Sequence, residues 1–208
     1  MTLREQLLEL TEPKYMKFTS ALMPGVENVL GIRLPVLRSI AKEIAAGDWR
    51  AYLAEAEDFY FEERMLQGLV IGYARCEPAE KLAHVVRFVP KIDNWAVCDC
   101  FCWRLRAAER QPMWEFIQPY FHAQAEYDVR FAVVMGLGNF VDEQHLEAFL
   151  RHLDGIRHEA YYARMAVAWA VSVCYVKFPQ RTHAWLGSCS LDDWTYNKSL
   201  QKSSSPTA

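Results

Sequence analysis

Four short segments recur along the chain at nearly even intervals: Phe61-Glu-Glu-Arg64, Ile92-Asp-Asn-Trp95, Tyr127-Asp-Val-Arg130 and Tyr161-Tyr-Ala-Arg164. Each opens an apolar stretch of helical pattern, and Arg64, Trp95, Arg130 and Arg164 follow one another after 31, 35 and 34 residues. A second helical stretch falls between successive segments, at Pro78–Pro90, Pro112–His122 and Asp142–Leu153. A repeat of about 34 residues with two helices per unit cannot bury its apolar faces alone, so neighbouring units must stack. That pattern predicts an all-α chain, an α-solenoid of helical repeats with a concave face. An irregular helical bundle, with the recurrence accidental, is the alternative.

The remaining periodicity is helical as well. Apolar residues recur at three and four in Leu3-Leu7-Leu10, Val36-Ile40-Ile44, Leu66-Leu69-Tyr73, Leu82-Val85-Val89 and Leu146-Phe149-Leu153. Pro35, Pro78, Pro112 and Pro179 predict helix starts, while Gly25, Gly47 and Gly155 predict helix ends. Asp48 and Asp142 are placed as N-caps. The β-branched run Val85–Val89 lacks any alternating partner strand and reads as helix. The chain therefore reads as one helical-repeat domain over residues 1–202, with 203–208 a disordered tail.

Composition narrows the function classes. Hydrophobic residues at 52% and charged residues at 24% exclude a disordered chain. With 23 Lys+Arg against 26 Asp+Glu the net charge is -3, which excludes a uniformly basic nucleic-acid coat and leaves room for a locally basic groove. Glu5 and Glu9 fall where a signal peptide needs an apolar core. The apolar stretch Ala166–Val176 is shorter than the roughly 20 residues of a membrane span. A cytoplasmic protein without a membrane partner is expected.

The six cysteines include no C-x-x-C pair, and no H-E-x-x-H occurs. They read as reduced, small hydrophobes, with Cys98 and Cys102 on one helix face and Cys100 on the other. His145 and His152 read as solvated or partly buried surface residues. No metal site and no cofactor are expected.

Trp95 and Asp99 stand four residues apart, a spacing that projects both from one side of a helix toward a common ligand. Trp169 follows Arg164 by five. A tryptophan at helical spacing is also an ordinary core residue. Asp99 is harder to place in a core, because it lies within Trp95-Ala-Val-Cys-Asp-Cys-Phe-Cys-Trp103. A carboxylate amid that much apolar surface is costly unless it is paired or functional. An ion pair with Arg130 and a functional role are both open, and they are compatible.

These residues resemble a known family. Gly31-Ile-Arg-Leu-Pro-Val-Leu-Arg38-Ser-Ile-Ala-Lys42, Glu62-Glu63-Arg64, Trp95-x-x-x-Asp99, Arg130, Ala166-Val-Ala-Trp169 and Asn197-Lys198-x-x-Gln-Lys202 look like the AlkD-type DNA alkylation repair proteins. Those are alkylpurine DNA glycosylases built of HEAT-like repeats. The likeness runs from about residue 13 to residue 202, carried by the order and spacing of its pieces. It implies that Trp95 and Trp169 flank the lesion-bearing nucleotide, with Asp99 the catalytic carboxylate between them. Arg130 takes the place of a backbone-contacting arginine, and Arg164 joins it as a DNA-binding residue. The implied partner is double-stranded DNA carrying an alkylated purine, bound by a monomer. The implied reaction is hydrolysis of the N-glycosidic bond of positively charged N3- or N7-alkylated purines, without obligatory base flipping. A non-catalytic helical-repeat protein that binds DNA, or a protein–protein scaffold, is the alternative.

Overall fold

The computed structural model describes residues 2–203, and every regular element among them is helical. Contacts divide the chain into two compact units, Met1–Phe101 and Cys102–Ala208. The first holds α1 (Leu3–Glu9), α2 (Pro13–Leu22), α3 (Leu34–Ala46), α4 (Trp49–Glu55), α5 (Phe61–Tyr73), α6 (Pro78–Phe88) and α7 (Trp95–Phe101). The second holds α8 (Ala107–Ile117), α9 (Glu126–Asn139), α10 (Leu146–Gly155), α11 (Tyr161–Lys177), α12 (Pro179–Leu186) and α13 (Asp193–Ser203). The residues after Ser203, where a disordered tail was expected, lie outside the described residues, and Ser203 itself closes α13.

Both units repeat one plan, the helix-pair repeat of an α-solenoid. In the first, α5 packs between α3 and α7, while α4 backs α3 and α6 backs α5. In the second, α11 packs between α9 and α13, with α8 behind α9 and both α10 and α12 behind α11. The middle helices are apolar around most of their circumference, as sandwiched helices must be. In α9 every residue from Val129 to Leu137 is buried. Close approach is enforced at Gly136, where a Cβ would stand 2.3 Å from Phe149 Cε2 of α10. Phe149 is wholly buried there, a burial that stabilises the pair by about 1.5–3 kcal/mol.

One buried carboxylate sets the front of the first unit. Glu62, at 0% exposure, accepts the N–H groups of Leu30 (2.9 Å), Gly31 (2.8 Å) and Ile32 (3.2 Å). The Phe61 N–H donates to the Asn28 carbonyl at 3.0 Å, so the start of α5 grips the whole 28–32 segment. Gly31 must be glycine on two counts: its φ is +79°, and a Cβ would lie 2.4 Å from the Met16 nitrogen of α2. Glu63 closes the capping box of α5 by accepting the Tyr60 N–H at 2.9 Å, and it receives Arg4 at 2.7 and 2.9 Å. Arg64 donates to the Asp58 carbonyl at 2.6 Å. All three residues of Glu62-Glu63-Arg64 thus hold backbone in place.

Several helix boundaries differ from the sequence expectation. Pro112 lies inside α8 instead of at its start. The helix begins earlier because Glu109, itself buried, accepts the Arg106 N–H at 2.9 Å and nucleates the turn ahead of the proline. Asp142 caps a turn rather than α10 directly, accepting Gln144 N–H at 3.1 Å and His145 N–H at 3.0 Å, and α10 starts at Leu146. α7 starts at Trp95, where Asn94 Oδ1 accepts the Val97 N–H at 2.9 Å, so Trp95 is the first residue of its helix whereas Arg64, Arg130 and Arg164 sit about a turn inside theirs. Because α7 ends at Phe101, Cys102 does not share a helix face with Cys98. His145 is buried, not superficial: its Nδ1 lies 2.8 Å from Asp142 and its ring packs on Trp114 and Phe140.

Two measurements check this account. Glu62→Ala strands three buried amides and is expected to lower unfolding free energy by about 3 kcal/mol or more, whereas breaking the exposed Glu12–Arg33 pair with Glu12→Ala should lower it far less. Urea titration at pH 7 reads both. Acid should also weaken the first unit through Glu63. Burial opposes its ionisation, but Arg4 and the Tyr60 and Phe59 backbone outweigh burial and hold the carboxyl below its ordinary 4.5. A depressed native pKa stabilises fully above the unfolded value and is lost as pH falls through the native one. The part of the acid-induced loss that Glu63 supplies should therefore disappear in Glu63→Gln when urea titrations at pH 7 and pH 3 are compared.

Candidate active site

α7 is seven residues long and sharply two-sided. Val97, Cys98 and Phe101 are buried, whereas Trp95, Ala96, Asp99 and Cys100 are only half-buried. The four half-buried positions fall at i, i+1, i+4 and i+5, which is one face of a helix. Trp95 and Asp99 are therefore displayed together, one turn apart, with the small Ala96 beside them. Neither indole of the sequence reading is sealed in the core: Trp169 of α11, in the second unit, is also half-buried.

Trp95 is fixed by an interaction the sequence reading missed. Its indole Nε1–H donates to the carbonyl of Leu22 at 3.4 Å. Leu22 is the last residue of α2, so the indole satisfies one of the carbonyls a helix leaves unpaired at its end. No spacing rule links positions 22 and 95, and only the folded chain shows the pair.

Cys100 adds a second observation. Burial pushes its thiol up to about 11, the nearby charge of Arg38 works against that rise, and Asp99 adds to it. The thiol is no nucleophile near neutrality. Arg38, an exposed residue of α3, is the cation whose charge acts on that thiol. Arg38 stands among the residues of the family-like motif, and the sequence reading assigned it no role.

The two arginines chosen from the sequence are placed differently from surface cations. Arg130 is 5% exposed, its Nη1 donating to the Tyr162 carbonyl at 3.0 Å and its guanidinium lying 6.0 Å from the Tyr162 ring centre. Arg164 joins α11 to the segment leading into α13: Nη2 lies 2.5 Å from Asp192 Oδ1, Nε lies 3.3 Å from Thr195 Oγ1, and the guanidinium stacks 4.5 Å over Trp194. Burial opposes ionisation of Asp192, but Thr195 and Arg164 hold its carboxyl below the ordinary range. Both arginines thus carry packing duties within the second unit. Of the five residues singled out, Trp95 and Asp99 are brought together on one helix of the first unit, while Arg130, Arg164 and Trp169 belong to the second.

Residues 3–208 match the family model described as DNA alkylation repair enzyme. No curated protein matches the chain.

The state of Cys100 is open to direct measurement. At pH 8 only about a thousandth of a thiol titrating near 11 is thiolate, so iodoacetamide should modify Cys100 at least about tenfold more slowly than it modifies free glutathione, the greater nucleophilicity of a high-pKa thiolate offsetting part of the difference. Peptide mapping by mass spectrometry over a time course reads this directly. Rapid labelling of Cys100 in the folded chain would contradict the placement.

Proposed function

The chain belongs to the DNA alkylation repair enzyme family, and from that premise we propose that it is a monofunctional DNA glycosylase releasing positively charged N3- or N7-alkylated purines from duplex DNA. The observation that carries this reading is the α7 face, where an aspartate and an indole one turn apart are both half-buried on the same side of the helix. Asp99 is the catalytic carboxylate, and Trp95 and Trp169 are the aromatic residues that flank the damaged nucleotide. Arg130 and Arg164 contact the DNA backbone in this reading, and Arg38, exposed on α3, is a further phosphate-binding candidate.

The chemistry asks little of the protein. A purine alkylated at N3 or N7 already carries a positive charge, so its glycosidic bond breaks without a general acid on the leaving group. The bond electrons leave with the base, which becomes neutral, and positive charge passes to the sugar at C1′. A carboxylate held near C1′ stabilises that oxocarbenium-like sugar and orients the water that adds to it, taking up the proton the water releases. Indole faces beside the nucleotide attract the same developing charge, each by about 0.5–2 kcal/mol. Phosphate contacts fix register without reading sequence. The resemblance to the family implies that extrusion of the base into a fitted pocket is not obligatory, in contrast to the usual glycosylase route.

The test is release of free base from a duplex containing 7-methylguanine. Asp99→Asn is expected to slow single-turnover release at least about 100-fold, and Trp95→Ala and Trp169→Ala about tenfold each, with circular dichroism showing folded helical protein throughout. Equal inactivity of wild type and Asp99→Asn, with salt-sensitive DNA binding retained, would instead identify a non-catalytic DNA-binding protein. Failure of both to bind DNA at low salt would favour a protein scaffold.

A further inference from the structure

α2 is the anomalous helix of the first unit. It has ten residues and buries none of them. A helix so short is marginal by itself in water, so tertiary tethers must hold it. The tethers at Tyr15 and Met16 lie on its half-buried side. Met16 packs against Gly31, Tyr15 lies under the Arg33 guanidinium at 4.8 Å, and Arg33 is gripped in turn by Glu12 at 2.9 and 3.0 Å. At the far end the Leu22 carbonyl accepts the Trp95 indole.

The opposite side is a continuous exposed stripe. Lys14, Lys17, Phe18, Ala21 and Leu22 are all exposed, at the i, i+3, i+4, i+7, i+8 spacing of one helix face. Phe18 is 60% and Leu22 50% exposed. The stripe is also graded: two lysines occupy the N-terminal half, and the large apolar side chains occupy the half that ends at Trp95. Glu12, the carboxylate next to this face, is already taken up by Arg33. Phe18 is not loose, since Tyr15 backs it at a ring separation of 6.1 Å. A pre-positioned aromatic wedge beside a cationic half-turn is the combination that parts base steps in architectural DNA-binding proteins, where apolar side chains enter the stack and cations hold the phosphates.

We infer that the exposed stripe of α2 is a duplex-DNA docking surface, in which Lys14 and Lys17 hold backbone phosphates and Phe18 with Leu22 wedges against the bases beside the nucleotide presented to Trp95 and Asp99. The occupant is the lesion-bearing duplex: the stripe is positive where a backbone must lie and apolar where bases must be parted, and through Leu22 it is continuous with the α7 face. This inference rests on the glycosylase reading for its position in a reaction, though DNA contact by α2 is measurable without catalysis. Phe18 and Leu22 are positioning residues here, acting on the substrate's conformation rather than on the bond broken.

The experiment uses the full chain carrying Asp99→Asn, so that binding is read without turnover, and a 7-methylguanine duplex with 2-aminopurine next to the lesion. Lys14→Gln with Lys17→Gln should weaken binding and reduce the slope of log affinity against log salt by about 1.8, two phosphates' worth. Phe18→Ala with Leu22→Ser should leave that slope unchanged, lower affinity at least about tenfold and abolish the rise in 2-aminopurine fluorescence that reports unstacking. Both pairs are exposed, so unfolding temperatures should match the parent. Affinity, slope and fluorescence unchanged in both double variants would overturn the inference. So would a wild-type dimer in solution that Phe18→Ala with Leu22→Ser dissociates, because a second copy of the chain would then be what covers the stripe. Base release by the chain with Asp99 intact separates the two proposals. Normal release with α2-independent binding sinks only the docking surface, and absent release with α2-dependent binding sinks only the glycosylase.

Discussion

The buried carboxylate of Glu62 is the contact on which the geometry of the first unit depends. Three consecutive amides point at it, and together they hold the segment after Asn28 against the start of α5. That fixes Gly31, whose missing Cβ lets the backbone of Met16 lie against it and so sets where α2 rests. α2 in turn offers the Leu22 carbonyl to Trp95. A chain of backbone contacts therefore runs from one carboxylate in α5 to the indole on α7. The amide contacts at Glu62 are the tightest links, and losing one should be felt at the α7 face some distance away.

How much of this was legible in the sequence follows from the range of the interactions. Helices were readable because their signal is local: Asp48 caps α4 by accepting the Ala51 N–H at 3.1 Å, and Pro78 and Pro179 stand first in α6 and α12. The misplaced boundaries came where a neighbour overrode a local rule. Pro112 is tolerated inside α8 because the capping box at Arg106 has already nucleated the helix. The half-buried face of α7 was legible, because the i, i+4 spacing of Trp95 and Asp99 encodes it. The Leu22–Trp95 bond, the charge of Arg38 acting on Cys100 and the burial of Arg130 were not, since all three depend on residues distant in sequence coming together. Glu62-Glu63-Arg64 was legible as a pattern without its purpose, which is to hold backbone.

The arginines show why residue type alone underdetermines role. A guanidinium has five donors in a fixed fork and serves equally to tie helices together or to grip a phosphate. In Arg164 the partners are Asp192, Thr195 and the face of Trp194, a set that rigidifies the junction of α11 and α13. A cation pinned in this way loses little freedom on meeting a ligand, which is the condition under which a charged contact is most effective. Net charge, at -3, says nothing about such local placement.

The central claim is that Asp99 acts on a substrate that carries its own activation, so that lesion charge decides reactivity. The most direct measurement compares single-turnover release of 7-methylguanine, which is cationic, with release of hypoxanthine, a neutral purine, from otherwise identical duplexes. The account predicts Asp99-dependent release of the cationic base and none of the neutral one above the uncatalysed rate. Release of both bases at similar rates, or release of 7-methylguanine that survives Asp99→Asn unchanged, would contradict it.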